Sequence, residues 1–127
     1  MEIYQNYQIE IENIKKMKAE QNVFRQNIQS YEFKKNENEM VKKELEFVEE
    51  GDEVFKLVGP MLVKEEISDA KQNVTKRVDF ITKEIEKFEK KIQSHEEVIV
   101  KKTKIVQDIQ AKLINAQRQL DQKQVGK

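Results

Sequence analysis

"VFKLVGPMLVKEE", Val54–Glu66, is the stretch whose reading decides the fold. Its first ten residues, Val54 to Val63, carry seven large apolar side chains around the sole Gly-Pro of the sequence. Val54–Val58 and Met61–Lys64 read as two short β-prone runs. Gly59-Pro60 supplies the reversal between them, with Pro60 expected at the turn's first corner. Phe55 and Leu57 point to one face of such a hairpin and Val54 and Val58 to the other, so both faces are largely apolar. A lone two-stranded hairpin is marginal in water. Burying the seven side chains is worth on the order of 10–20 kcal/mol at most, at ~1.5–3 kcal/mol each. A hairpin of this kind is an assembly device that needs strands from other chains, because its edges would otherwise invite aggregation.

Outward from that island the chain is charged and almost free of glycine and proline. Gly51, Gly59, Pro60 and Gly126 are its only breaks, so two long uninterrupted segments flank one reversal. In the second segment, alternating steps of four and three from Val74 land on Val78, Ile81, Ile85, Phe88, Ile92, His95, Ile99, Lys102, Val106, Ile109, Leu113, Ala116 and Leu120. An apolar seam sustained over so many heptads signals a coiled coil. Ser68 is the expected N-cap and Asp69 a first-turn acid. The first segment keeps the rhythm through Ile3, Tyr7, Glu10, Ile14, Met17, Gln21, Phe24, Ile28 and Tyr31. It then crosses the polar patch "EFKKNENE" and resumes at Val41, Leu45 and Val48. Gly51 is a reasonable helix terminator, although Glu49 and Glu50 oppose a helix C-terminus and predict a frayed last turn.

If the chain folds back at 51–66, facing positions have numbers with a nearly constant sum. Ile3 with Leu113, Tyr7 with Ile109, Met17 with Ile99, Phe24 with Ile92, Ile28 with Phe88 and Tyr31 with Ile85 share one sum. Val41 with Val74 and Val48 with Ile67 slip by one. This register places Gln21 level with His95 and brings Lys102 within a turn of Glu10. The expected fold is mainly α: a long antiparallel two-helix coiled coil joined by a central β-hairpin that assembles into an intersubunit β-barrel. Residues 1–127 form a single domain, with helix 1 over 1–50, the hairpin over 51–66, helix 2 over 67–123 and a tail over 124–127.

Composition agrees. Charged residues make up 38% of the chain and the hydrophobic class 37%, with a mean hydropathy of −0.85; that is too polar for a compact globule with a thick core. Lys+Arg and Asp+Glu balance at 24 each, which argues against disorder driven by net charge and leaves no basic stripe for nucleic acid. No apolar run approaches the ~20 residues that span a bilayer, and the first residues show no secretory signal. A cytoplasmic chain with no membrane and no nucleic-acid partner is expected. Zero cysteines exclude thiolate metal sites, and no phosphate-binding glycine motif occurs. The lone His95 has no second ligand and reads as a polar layer of the seam. "NVT" at Asn73 sits in a helix and reads as chance. No enzyme, no cofactor and no metal are expected.

The central block "VFKLVGPMLVKEEISDAKQNVTKRVDFITKEI", with "MVKKELEFVEEGDEVFKLVG" upstream, closely resembles the β-class prefoldin subunits. In that family the hairpin is followed by a "KRxDxI" stretch, here "KRVDFI", Lys76 to Ile81. The resemblance covers roughly Met40 to Glu86; the outer helices match only as coiled coil. It implies an ATP-independent chaperone, a holdase subunit of a hetero-hexamer of α- and β-class prefoldin subunits. Strands from all subunits would build β-barrels, and the coil tips would hold unfolded proteins such as actin and tubulin for the cytosolic chaperonin. The expected assembly residues are then Val54, Phe55, Leu57, Val58, Gly59, Pro60, Met61, Leu62 and Val63. The client-binding residues expected at the tips, apolar beyond what one seam requires, are Tyr4, Ile9, Ile11, Ile114 and Val125. The alternative is a structural coiled-coil scaffold or tether without chaperone activity.

Overall fold

The computed structural model describes residues 2–125, with side chains through residue 123. Its order is α1 (Glu2–Glu46), β1 (Val54–Val58), β2 (Met61–Glu65) and α2 (Ile67–Val125). The described backbone continues helically to Val125, inside the expected tail. The chain divides into two compact units, Met1–Phe24 with Lys90–Lys127 and Arg25–Glu89.

In the hairpin-bearing unit, β1 and β2 pair antiparallel with Val54 opposite Glu65, Leu57 opposite Leu62 and Val58 opposite Met61. The turn therefore has two residues, with Gly59 at the first corner and Pro60 at the second. This corrects the expected placing of Pro60. Gly59 has φ +59° and no described non-glycine residue has positive φ, the pattern of a type II′ turn, whose twist matches that of the strands it joins. Proline's fixed negative φ suits the second corner.

α1 stops at Glu46, four residues before the expected end, in short-range bonds from Phe47 N–H to the Glu44 carbonyl and from Val48 N–H to the Leu45 carbonyl. Gly51 is not the helix terminator. It sits in the following turn, where Asp52 N–H bonds the Glu49 carbonyl at 3.1 Å and Gly51 takes φ +99°. The Asp52 carboxylate accepts from Glu49 N–H at 2.9 Å. Acidic Glu49 and Glu50 disfavour a further helical turn, since a helix C-terminus already carries partial negative charge. The N-cap of α2 is likewise Glu66 rather than Ser68: its carbonyl accepts from Ala70 N–H at 2.9 Å, the first bond of the helix.

The core of this unit is Leu45, Ala70 and Val74, all buried, with Val48, Val54 and Val78 packed against them. Ala70, which lies between the expected seam positions Ile67 and Val74 and is not among them, is buried as well. Val41, expected opposite Val74, is exposed instead. Asn73 donates to Glu65 at 2.7 Å and ties the end of β2 to α2. Further along, Tyr31 packs against Phe88 with ring centroids 6.0 Å apart, and Ile81 and Ile85 are buried. Lys35 and Asn38 occupy the polar stretch of the α1 seam and are half-buried.

In the other unit the antiparallel pairing is fixed by polar contacts as well as by the apolar seam. Gln21 is 3% exposed and donates to the Ile92 carbonyl and to Glu96, each at 3.1 Å. His95, at the same level, bonds Glu20 at 2.7 Å and meets the Phe24 ring edge-on at 5.3 Å. Lys102 reaches Glu10 at 2.8 Å and Gln110 reaches the Tyr7 hydroxyl at 3.1 Å. These cross-helix contacts bracket the expected register on either side, as knobs seated between two partners do. Ile99 and Val106 are buried and Leu113 is half-buried, whereas Ala116 and Leu120 are exposed. The seam of α2 outruns α1, as the register requires.

Candidate functional site: the open hairpin

Short strands of Val, Leu and Phe on either side of a two-residue turn give a sheet of only two strands, so both have an open edge. One face carries Val54, Lys56, Val58, Met61 and Val63, and the other Phe55, Leu57, Leu62 and Lys64. Leu57 and Leu62 lie directly opposite each other and are 71% and 70% exposed. Phe55, Val58, Met61 and Val63 are also exposed. Val54 alone of the apolar set turns inward, onto the core beside Leu45 and Val74. Beside β1 runs a groove of about 490 Å³ whose apolar lining includes Val41, Leu45, Val54, Leu57 and Val74. Lys64 pairs loosely with Glu53 at 3.7 Å, both well exposed. This surface has open strand edges and apolar faces. Among the described residues no cluster of His, Asp or Glu is arranged to hold a metal ion. No described helix is long and apolar enough to cross a membrane.

A second set of candidates lies at the chain's ends. Tyr4, Ile9 and Ile114 are more than half exposed, and Ile11 is half-buried. The Val125 side chain lies outside the described residues. Tyr4 stacks on Tyr7 at 6.4 Å between centroids, so the aromatic pair forms one patch on the first turns of α1. Sequence reasoning missed a further stripe along α1 and just past its end: Phe33, Met40 and Phe47, exposed to 65%, 63% and 82%. Their seven-residue spacing is the signal for it, on an exposed face that the seam does not explain.

The family profile described as "Prefoldin subunit" matches residues 8–113, most of the chain. The chain belongs to the prefoldin subunit family. Among curated proteins, prefoldin subunit 6 of Arabidopsis thaliana is 46% identical over 50 residues, covering 39% of this chain and 39% of that protein. Prefoldin subunit 6 of Mus musculus is 35% identical over 78 residues, 61% of each chain. These matches take in less than two thirds of either relative. Among solved structures, the prefoldin beta subunit from Thermococcus strain KS-1 superposes with a TM-score of 0.75 at 17% identity, covering 80% of this chain and 90% of that one. The beta2 subunit from the same strain gives 0.62 at 21% identity, covering 72% and 98%. At such identities the likeness is one of fold: two long helices joined by a β-hairpin, the prefoldin beta architecture. The prefoldin block resembled at the centre of the sequence is thus part of a match that extends into both outer helices.

Proposed function

We propose that this prefoldin-family chain is a subunit of a hexameric, ATP-independent holdase. Its hairpin joins strands of neighbouring α- and β-class subunits into a β-barrel. The terminal ends of its coil hold unfolded proteins such as actin and tubulin and hand them to the cytosolic chaperonin. The observation that carries the reading is the pair Leu57 and Leu62, facing each other across a two-stranded sheet with about 70% of each exposed. A sheet open at both edges and apolar on both faces is stable in water only when other strands cover it. Tyr4, Ile9, Ile11, Ile114 and Val125 are the proposed client contacts. Small apolar groups scattered on solvated helices suit weak and unselective contact with unfolded chains.

The test mixes the chain with candidate α-class prefoldin subunits and measures complex mass. Entry into a six-subunit complex is expected, together with loss of entry in Leu57→Lys/Leu62→Lys while helical content persists. A wild-type chain that stays monomeric with every partner overturns the assembly reading. Serine at Tyr4, Ile9 and Ile114 should leave assembly intact and weaken suppression of denatured-actin aggregation. Unchanged suppression would move the client site elsewhere.

A further inference from the structure

Four residues of the "KRVDFI" stretch build a feature of their own, although Arg77 also lines the groove beside β1. Lys76, Arg77, Phe80 and Ile81 of α2, with Lys34 and Asn38 of α1, line a depression of about 300 Å³ in the hairpin-bearing unit. The floor is apolar, from buried Ile81 and the half-exposed ring of Phe80. The rim is cationic. Among the described residues none of Lys34, Lys76 and Arg77 has a carboxylate partner, and Lys34 is held over the Tyr31 ring at 5.5 Å. Asn38 donates to the Lys34 carbonyl at 2.7 Å, which steadies the α1 side. The depression lies beside the polar patch of α1, and of its two apolar floor residues Ile81 is covered while the Phe80 ring is left open.

The same chain presents the complement of this depression. Residues 44–53, "ELEFVEEGDE", hold six carboxylates and no cation. Phe47, the most exposed large apolar side chain described, stands on that run at 82% exposure. The turn beneath it is fixed by the Glu49–Asp52 bonds, so the ring and the exposed Glu49 and Glu50 are presented ready-made. Because Phe47 is exposed, it does not fill the depression of its own chain. The hairpin is a poorer occupant, because Lys56 and Lys64 on its two faces would meet the cationic rim.

We propose that the acidic Phe47 knob of one copy docks in the Lys34/Lys76/Arg77 depression of a second copy. The ring covers Phe80 and Ile81, and Glu49 and Glu50 neutralise the rim. One aromatic side chain buries about 150–250 Å², far below the ~1,200 Å² of a stable interface. The contact is therefore weak and transient, and independent of whether the hairpin assembles.

Paramagnetic NMR reads such contacts. The chain has no cysteine, so an unlabelled Glu44→Cys copy, changed at an exposed position beside Phe47, carries one nitroxide and is mixed with a ¹⁵N-labelled full-length copy. Broadening is expected at Lys34, Asn38 and Lys76 to Ile81. It should fall at least about twofold when salt is raised from ~0.1 to ~1 M, as the Debye length shortens from about 10 to about 3 Å. Phe47→Ala in the spin-labelled copy should weaken it further. Lys76→Glu/Arg77→Glu in the ¹⁵N copy should abolish it, and Glu49→Lys/Glu50→Lys in the spin-labelled copy should restore it to that reversed groove. Both reversed positions of the groove are exposed, so folding is checked by the unchanged remainder of the spectrum. No broadening, broadening centred on the hairpin or on an unrelated surface, or broadening that persists in the reversed groove without the compensating change overturns the proposal.

Discussion

The ammonium of Lys102 lies 2.8 Å from the carboxylate of Glu10, and the two side chains are only 25% and 21% exposed. Each sits on the seam of its helix, where the heptad calls for an apolar residue. An ion pair there contributes less to net stability than to fixing which turn faces which, because removing water from both charges offsets much of their attraction.

That balance has a measurable consequence. Lys102→Ala should cost about 1–3 kcal/mol, since it strands a partly buried carboxylate. Glu10→Leu combined with Lys102→Met should recover that loss or exceed wild type. Chemical denaturation of the single and the double variant checks this. A double variant as unstable as Lys102→Ala would show that the pair is a net stabiliser.

Gln21 offers a second case on the same helix. Its amide is buried and donates both to the Ile92 carbonyl and to Glu96. Gln21→Ala should cost about 1–3 kcal/mol through the lost packing and the unpaired Glu96 contact. Gln21→Leu, close in volume, should stay within about 1.5 kcal/mol of wild type. Thermal or urea unfolding followed by circular dichroism separates the two. Equal losses in both would place the contribution of Gln21 in its hydrogen bonds alone.

Gly59 isolates a backbone effect. At φ +59° it occupies the left-handed region, and a Cβ built there meets nothing within 4 Å. Gly59→Ala should therefore weaken the hairpin by about 1–2 kcal/mol from conformation alone. Gly59→Asn should cost less, because asparagine tolerates that conformation. Hydrogen exchange at the Val58–Met61 end of the ladder gives the reading. A loss at Ala no larger than at Asn would mean that the turn relaxes to another type.

Periodicity made the helical pairing legible because a seam repeated over many heptads overrides local exceptions. Tyr31 against Phe88 and Lys102 against Glu10 both fall near the register it implies. The exceptions lay where short-range geometry competes with pattern. Gly51 looked like a helix terminator, but the Glu49–Asp52 turn uses its positive φ after α1 has already stopped at Glu46. Pro60 suits either corner of a turn by its φ, and only the strand pairing Val58 with Met61 assigns the first corner to Gly59. The hairpin's apolar character was plain in the sequence. The inward turn of Val54 was not, because it depends on Leu45 and Val74 meeting beneath it. The stripe Phe33, Met40 and Phe47 escaped for a different reason: it is regular, but it repeats on a face that the seam does not explain.

The sharpest stability contrast is between two leucines only twelve positions apart. Leu45 is 6% exposed and packs with Ala70 and Val74, whereas Leu57 is 71% exposed on the open hairpin. In the isolated chain Leu45→Ala should cost about 2–5 kcal/mol, the transfer of its side chain plus the cavity left behind. Leu57→Ala should change stability by no more than about 0.5 kcal/mol, because little of its surface leaves water on folding. The order should reverse when assembly is measured: Leu57→Ala should weaken entry into a mixed-subunit complex far more than its own folding. Paired denaturation and complex-mass measurements on the same two variants test this. A large folding loss at Leu57 in the monomer would mean that the hairpin is covered within the chain and is not waiting for a partner.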